Sequence, residues 1–210
     1  MTQAPILEVE ALRTHFFTQE GVTRAVDGVS FAISPGECVG LVGESGCGKS
    51  TFLSAVDGLV RVNGGTIKVH GKTVSAPGPD RAMVFQQDSL FPWRTVLENI
   101  EVGSHQHHPR RSDALAHARG IAQRVGIPAA MLDQPAAELT VAGRKRLELA
   151  RALATEPKLL LLDEVMAGLN PQEIIEIIGV WAALESMAAR LITQNATDAE
   201  IASLRRLFGG

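Results

Sequence analysis

An α/β fold is predicted by three observations. Short apolar runs bounded by turn residues fill the first half of the chain, helical patterns lie between and after them, and one apolar run leads directly into a glycine-rich turn followed by a helix. The 210 residues suit one domain with a subdomain, or two small domains. Hydrophobic residues at 45% and charged ones at 20% give a globular rather than a disordered balance. Twenty Lys and Arg against 23 Asp and Glu leave a formal charge of -3, so no global basic field points to nucleic acid or anionic lipid.

The strand candidates are ILEV at 6–9, VSFAI at 29–33, CVGLVG at 38–43, TIKV at 66–69 and AMVF at 82–85. Helical patterns run from Lys49 to Leu59, Ser112 to Val125 and Arg144 to Thr155, the last with Leu147, Leu149, Ala150 and Leu153 available for packing. LLLLD at 159–163, bounded by Pro157 and an acidic pair, reads as a central strand buried on both faces. SAPGPD at 75–80 and GSHQHHPRRS at 103–112 read as loops. Toward the end, Ile174, Ile177, Ile178, Trp181, Leu184 and Met187 share one helical face.

The N-terminus lacks the basic start and long apolar run of a secretory signal. The most apolar later stretch, Ile174 to Ile192, is interrupted by Glu176, Glu185 and Arg190, which argues against a membrane-spanning helix. Cys38 and Cys47 are the only cysteines; a disulfide at Cys47 would tie up the glycine-rich turn, so both are expected reduced, which favours the cytoplasm.

That turn carries the chemistry. GESGCGKST at 43–51 places Gly43, Gly48, Lys49 and Ser50 at the spacing Gly, four residues, Gly, Lys, Ser or Thr. Gly43, Gly46 and Gly48 let the backbone approach phosphate oxygens, while the amides through Glu44, Ser45, Cys47 and Thr51 and the following helix N-terminus supply donors and positive dipole. Lys49 neutralises the outer phosphates and Ser50 holds Mg²⁺. Asp163 and Glu164 end the LLLL run, 114 residues after Lys49 (163 minus 49). Asp163 is placed to support Mg²⁺ through its water shell and Glu164 to orient or deprotonate an attacking water, since phosphoryl transfer depends on positioning and charge neutralisation. Together the loop and the acidic strand end specify a P-loop NTPase.

From Leu12 to about Pro171 the ordered motifs resemble the ATP-binding-cassette (ABC) transporter ATPases. The likeness is a mosaic: LRTHFFTQEGVTRAVDGVSF and GLVGESGCGKST look like the peptide-importer branch, VFQQDSLFPWRTVLENI like the nitrate, sulfonate and taurine branch, and LTVAGRKRLELARALATEPKLLLLDEVMAGLNP like the branched-chain amino-acid branch. The resemblance implies an ABC-type mixed sheet with an N-terminal antiparallel β subdomain and an inserted helical subdomain at about 88–155, within a nucleotide-binding domain at 1–172. It implies ATP and Mg²⁺ as ligands, membrane-spanning permease subunits as partners, and a head-to-tail homodimer or heterodimer with another ABC ATPase. The place implied is the cytoplasmic face of the cell membrane, and no nucleic acid is expected.

Carried over by position, Phe16 would stack on adenine, with a core or edge-strand aromatic as the alternative. Gln86 would sense Mg²⁺ and the membrane subunit, with Gln87 as the alternative match. LTVAG at 139–143 stands where the family usually has Leu, Ser, Gly, Gly, Gln, and its Thr140 would cap the nucleotide of the opposite subunit from a helix starting near Gly143. Val141 and Ala142 put side chains where glycine would allow close approach. Asn170 replaces an aspartate that pairs across the dimer.

Where the family places a histidine near the terminal phosphate, Gln194 is the nearest equivalent; glutamine donates a hydrogen bond but carries no charge, so turnover is expected to be slow. The tail from residue 173 also looks like the opening helices of the ligand-binding domain of GntR-type regulators, without that family's DNA-reading element. On this reading the C-terminal part of the cassette, 173–210, is truncated or replaced by helices, and the rival function is a non-catalytic ATP-binding or interaction module. His105, His107 and His108 suggest a metal site, but no Cys or second His cluster lies at ligand spacing. Arg110 and Arg111, with Arg144, Lys145 and Arg146, read as solvated faces, an anion contact near the dimer seam being the alternative for the latter three, and Trp93 as a loop anchor or part of a surface meeting a membrane subunit.

Overall fold

The computed structural model describes residues 4–18, 21–165 and Ile174. The expected tail helices beyond Ile174, together with Asn170 and Gln194, lie outside the described residues. Strand β1 (Leu7–Thr18) pairs antiparallel with β2 (Gly21–Ile33). Helix α1 (Lys49–Asp57) follows, then β3 (Gly64–Val69), which flanks the other side of β1 and carries the two-residue β4 (Lys72–Thr73). The first sheet therefore has the order β2-β1-β3-β4.

The buried residues of β1 change parity, from Leu7 and Val9 to Leu12 and Thr14. An extra residue explains the change. The register slips between Val9 and Leu12, Ala11 sits at φ 45°, and its N–H donates to Ser30 Oγ at 2.7 Å. Such a bulge restores the apolar face that a one-residue slip would otherwise turn to solvent. Across the pair, Gly65 at φ 79° admits it: a Cβ there would lie 2.3 Å from the Glu10 carbonyl oxygen. Both strands extend well beyond the apolar cores read at 6–9 and 29–33, because their outer halves form a largely exposed ribbon.

The second sheet pairs β5 (Arg81–Val84) in parallel with β6 (Leu159–Leu162), from Arg81↔Leu159 to Val84↔Leu162. β6 lies between two cores. Leu159 and Leu161 join the antiparallel sheet and α1, while Leu160 and Leu162 pack, partly buried, against the helical core. That core is built by α2 (Val96–Ser104), α3 (Arg111–Arg124) and α4 (Val141–Leu153), with two 3-10 turns at Ala129–Met131 and Ala136–Glu138. Among the described residues no helix is long and apolar enough to cross a membrane.

Two sequence expectations need correction. The apolar run 38–43 carries no strand ladder, and Val42 is 99% exposed, because neither sheet supplies it with a backbone partner among the described residues. Part of the expected loop at 103–112 is helical, since α2 ends at Ser104 and α3 begins at Arg111. The start of α2 is marked by a capping box: Glu98 N–H donates to Thr95 Oγ1 at 3.2 Å, and Thr95 N–H to Glu98 Oε2 at 2.9 Å.

Candidate active site

The parallel register of β5 and β6 sets the site. Val84 lies opposite Leu162, so two residues further on Gln86 comes abreast of Glu164. Gln86 Nε2 donates to Glu164 Oε2 at 2.8 Å, and Asp163 N–H to the Val84 carbonyl at 3.0 Å. Gln86, rather than its neighbour Gln87, thus reaches the acidic strand end. Glu164 adopts φ 46°, a left-handed conformation costing a non-glycine residue about 1–2 kcal/mol. The turn thereby places its carboxylate beside Gln86 while Asp163 stays buried.

Ser50, at the start of α1, donates from Oγ to Asp163 Oδ1 at 3.0 Å. The loop before it is held by contacts that leave little freedom at Gly48. Its φ is 96°, and a Cβ there would lie 2.1 Å from the carbonyl oxygen of Ala25 on β2. Lys49 folds over the loop, donating from Nζ to the carbonyls of Gly43 at 2.9 Å and Glu44 at 2.8 Å. Ser45, Gly46 and Cys47 are exposed around it, Thr51 is half-buried, and both cysteines are free.

The N-termini of the four α-helices differ in kind; that of α3, like that of α1, has no side-chain cap, but Asp113 lies in its first turn. α2 is closed by its capping box, and Thr140 closes α4 by accepting from Gly143 N–H at 3.1 Å. At α1 the cap is Gly48, with no side-chain hydrogen bond and no acidic residue in the first turn. An uncapped helix N-terminus presents free amides and positive dipole to an anion. The arrangement fits a polyphosphate. Ser50 and Asp163 are hard oxygen donors, and engagement of the Gln86 amide nitrogen leaves its oxygen free, so the donor set fits Mg²⁺ better than a soft metal.

Other predicted residues fall further out. Phe16 is 41% exposed on the β1–β2 ribbon opposite Thr23, which excludes the core alternative. Thr140 caps a helix that begins at Val141 rather than Gly143, so Val141 and Ala142 occupy its first turn. Trp93 is 77% exposed, with its ring centroid 5.8 Å from that of Phe91.

The basic cluster on α4 overturns the expectation of a solvated face. Lys145 is 3% exposed and donates to the carbonyls of Gln86 at 2.8 Å and Phe85 at 3.3 Å. It pairs with Glu148, itself 2% exposed, at 3.0 Å and with Asp88 at 3.1 Å. Glu148 Oε1 accepts from Ser89 N–H at 2.7 Å, and Arg144 donates to Asp88 at 2.8 Å. The segment after β5 is therefore fastened to α4. Burial works against ionising Asp88, but hydrogen bonds and charge from Arg144 and Lys145 outweigh it and hold the carboxyl below its ordinary range. Sequence reasoning missed this network; the available signal was the Lys-x-x-Glu spacing of 145 and 148 on a helix whose other face is apolar.

A profile of the ABC transporter family matches residues 26–167. The taurine import ATP-binding protein of Pseudomonas aeruginosa is 39% identical over 155 residues, 73% of this chain and 59% of that protein. This chain thus spans less than two thirds of that relative. The corresponding protein of Burkholderia pseudomallei is 34% identical over 197 residues, 92% of this chain and 75% of the relative. The bicarbonate transport ATP-binding protein CmpC of Synechococcus elongatus is 42% identical over 148 residues, 70% of this chain and 22% of its own.

Among solved structures, cbiO1 from Clostridium perfringens, part of an ABC transporter complex, superposes with a TM-score of 0.77 at 27% identity, covering 89% of this chain and 76% of that one. A dimeric ATP-binding cassette in a post-hydrolysis state with ADP and phosphate shares the fold, with a TM-score of 0.75 at 22% identity over 85% of this chain and 82% of its own. The matched span holds the phosphate loop, Gln86 and the acidic end of β6 together, and on that ground the chain belongs to the ABC transporter family, among its ATP-binding domains.

Proposed function

We propose that the chain is the ATP-hydrolysing subunit of a solute importer, working at the cytoplasmic face of a membrane beside permease subunits. The observation that carries the proposal is the convergence of Ser50 on Asp163 and of Gln86 on Glu164 at the C-terminal ends of β5 and β6, beside a helix N-terminus with no side-chain cap. Relatives named for taurine import, nitrate import and bicarbonate transport support the importer reading.

In this account the amides from Gly43 to Thr51 bind the phosphates, and Lys49 releases the Gly43 and Glu44 carbonyls to neutralise the outer ones. Phe16, exposed on its ribbon, offers a face for the base. Ser50, Asp163 and the Gln86 amide oxygen would hold Mg²⁺, which supplies charge neutralisation at the phosphates when bound. Glu164 orients and deprotonates the attacking water. Its hydrogen bond from Gln86 fixes the carboxylate, and the Lys145 clamp fixes Gln86. Thr140 and the α4 N-terminus of a second cassette, identical or related, close the site, while Gln194 stands in for a charged partner and slows turnover. The cassette is assigned to 1–172, with its helical subdomain at about 88–155 and residues 173–210 as a tail outside it, and Trp93 to the permease-facing surface.

A second reading rests on Val141, 40% exposed in the first turn of α4, whose side chain stands where close approach across a dimer would need glycine, while Ala142 is buried in its own chain: a module that binds ATP and docks without turning over. The two separate in sedimentation of the purified chain with Mg-ATP. The hydrolytic reading expects Glu164→Gln to accumulate an ATP-dependent dimer that wild type forms only transiently. Equal dimer populations in both proteins would leave the docking module.

A further inference from the structure

The histidines after α2 gain partners in the fold that the sequence keeps apart. His108 from that loop, His117 from α3 and Glu156 from the turn after α4 each bring a ligand atom into a group whose members all lie within 4.8 Å of one another. Glu156 Oε1 is 3.4 Å from His117 Nε2 and 3.6 Å from His108 Nε2. Ligand atoms about 2.0–2.1 Å from a tetrahedral zinc ion stand about 3.3 Å from each other. Two edges of the triangle are already close to that length.

The surroundings prepare both rings as ligands. His117 Nδ1 lies 3.0 Å from Ser104 Oγ, which is in turn 3.4 Å from the Ile100 carbonyl. Since that carbonyl only accepts, the hydroxyl donates to it and accepts the Nδ1 proton, which leaves the Nε2 lone pair facing Glu156. His108 Nε2 is itself buried with no hydrogen-bond partner, and the two ring centroids are 4.5 Å apart. His107 Nε2, at 2.9 Å from the Thr155 carbonyl, ties the loop to the turn that carries Glu156.

We propose that His108, His117 and Glu156 form a binding site for a divalent metal ion of the zinc class, with Ser104 orienting His117 and a fourth position open to water. Two imidazoles and a carboxylate suit such an ion, and a hydrogen-bonded outer partner on one ring is the usual companion of metal-bound histidine. The ion clamps the post-α2 loop and α3 to the turn that leads into β6, away from the end of that strand where Asp163 and Glu164 stand.

The test is zinc titration calorimetry of the chelator-treated protein, followed by its cobalt(II) absorption spectrum. One equivalent of zinc is expected at about micromolar affinity or tighter, with visible bands of a four-coordinate nitrogen and oxygen site and no thiolate charge-transfer band from Cys38 or Cys47. His117→Ala should abolish the binding. Ser104→Ala should weaken it about 10- to 100-fold, and His70→Ala should leave it unchanged. Glu156→Gln, at a half-exposed side chain, tests the site without threatening the fold and should weaken binding at least about tenfold. Absence of saturable binding, a thiolate band, or equal affinity in wild type and Glu156→Gln would each overturn the site, the first leaving only a histidine–glutamate contact.

Discussion

Lys145→Met removes the cation that joins α4 to the segment after β5 while keeping a side chain of similar length. The ammonium makes four polar contacts, to the carbonyls of Phe85 and Gln86 and to the carboxylates of Glu148 and Asp88. Asp88 is half-exposed and keeps Arg144, so it loses little. Glu148 loses its paired cation while only 2% exposed, keeping the Ser89 amide and hydroxyl as hydrogen-bond partners and the charge of Arg151 nearby. Breaking a buried pair from one side costs about 3–5 kcal/mol. For a domain of this size 3 kcal/mol lowers Tm by about 6–12 °C. Adding Glu148→Gln removes the stranded charge and keeps an acceptor for Ser89, so the double variant should recover about 1–3 kcal/mol of the loss. Urea unfolding followed by circular dichroism reads all three proteins. A single-variant cost below about 1 kcal/mol, as for a solvent-exposed pair, or a double variant less stable than the single, would refute the buried clamp.

Three further outcomes follow from the same geometry. Gly48→Ala meets the Ala25 carbonyl and a left-handed φ at once, so ATP affinity measured by fluorescent-nucleotide displacement should fall by about tenfold or more. Thr95→Ala opens the capping box of α2 and should cost about 1 kcal/mol in urea unfolding. Asp88, with its carboxyl held below the usual value of 3.8, contributes stability that is present above that value and lost as pH falls through its lower folded value. Asp88→Asn should therefore flatten the acid side of the stability profile below about pH 4 and lower stability near neutrality, as read from Tm between pH 3 and 7.

Local chemistry made the phosphate loop readable from sequence, since every residue of its cradle lies between Gly43 and Thr51. The acidic end of β6 was readable too, because LLLLDE sets an apolar strand against its carboxylates. Gln86 could be matched by position only; its pairing with Glu164 follows from the parallel register of β5 and β6, which no local pattern encodes. Lys145 was misread for the same reason. Three basic residues in a row suggest a wet face, and only the approach of α4 to the segment after β5 shows that the middle one is buried. The run 38–43 shows the opposite failure, where strong strand propensity met no ladder partner among the described residues. His108, His117 and Glu156 share no spacing that marks a metal site, and tertiary packing alone brings them together.

The central claim is tested most directly by steady-state phosphate release from the purified chain with Mg-ATP, measured beside Lys49→Ala and Glu164→Gln. The account predicts slow but measurable release in wild type, lost in both variants, with ATP binding retained in Glu164→Gln and impaired in Lys49→Ala. Wild-type release no faster than that of Glu164→Gln, with ATP still bound, would contradict a hydrolytic role for Glu164 and leave a nucleotide-dependent docking module.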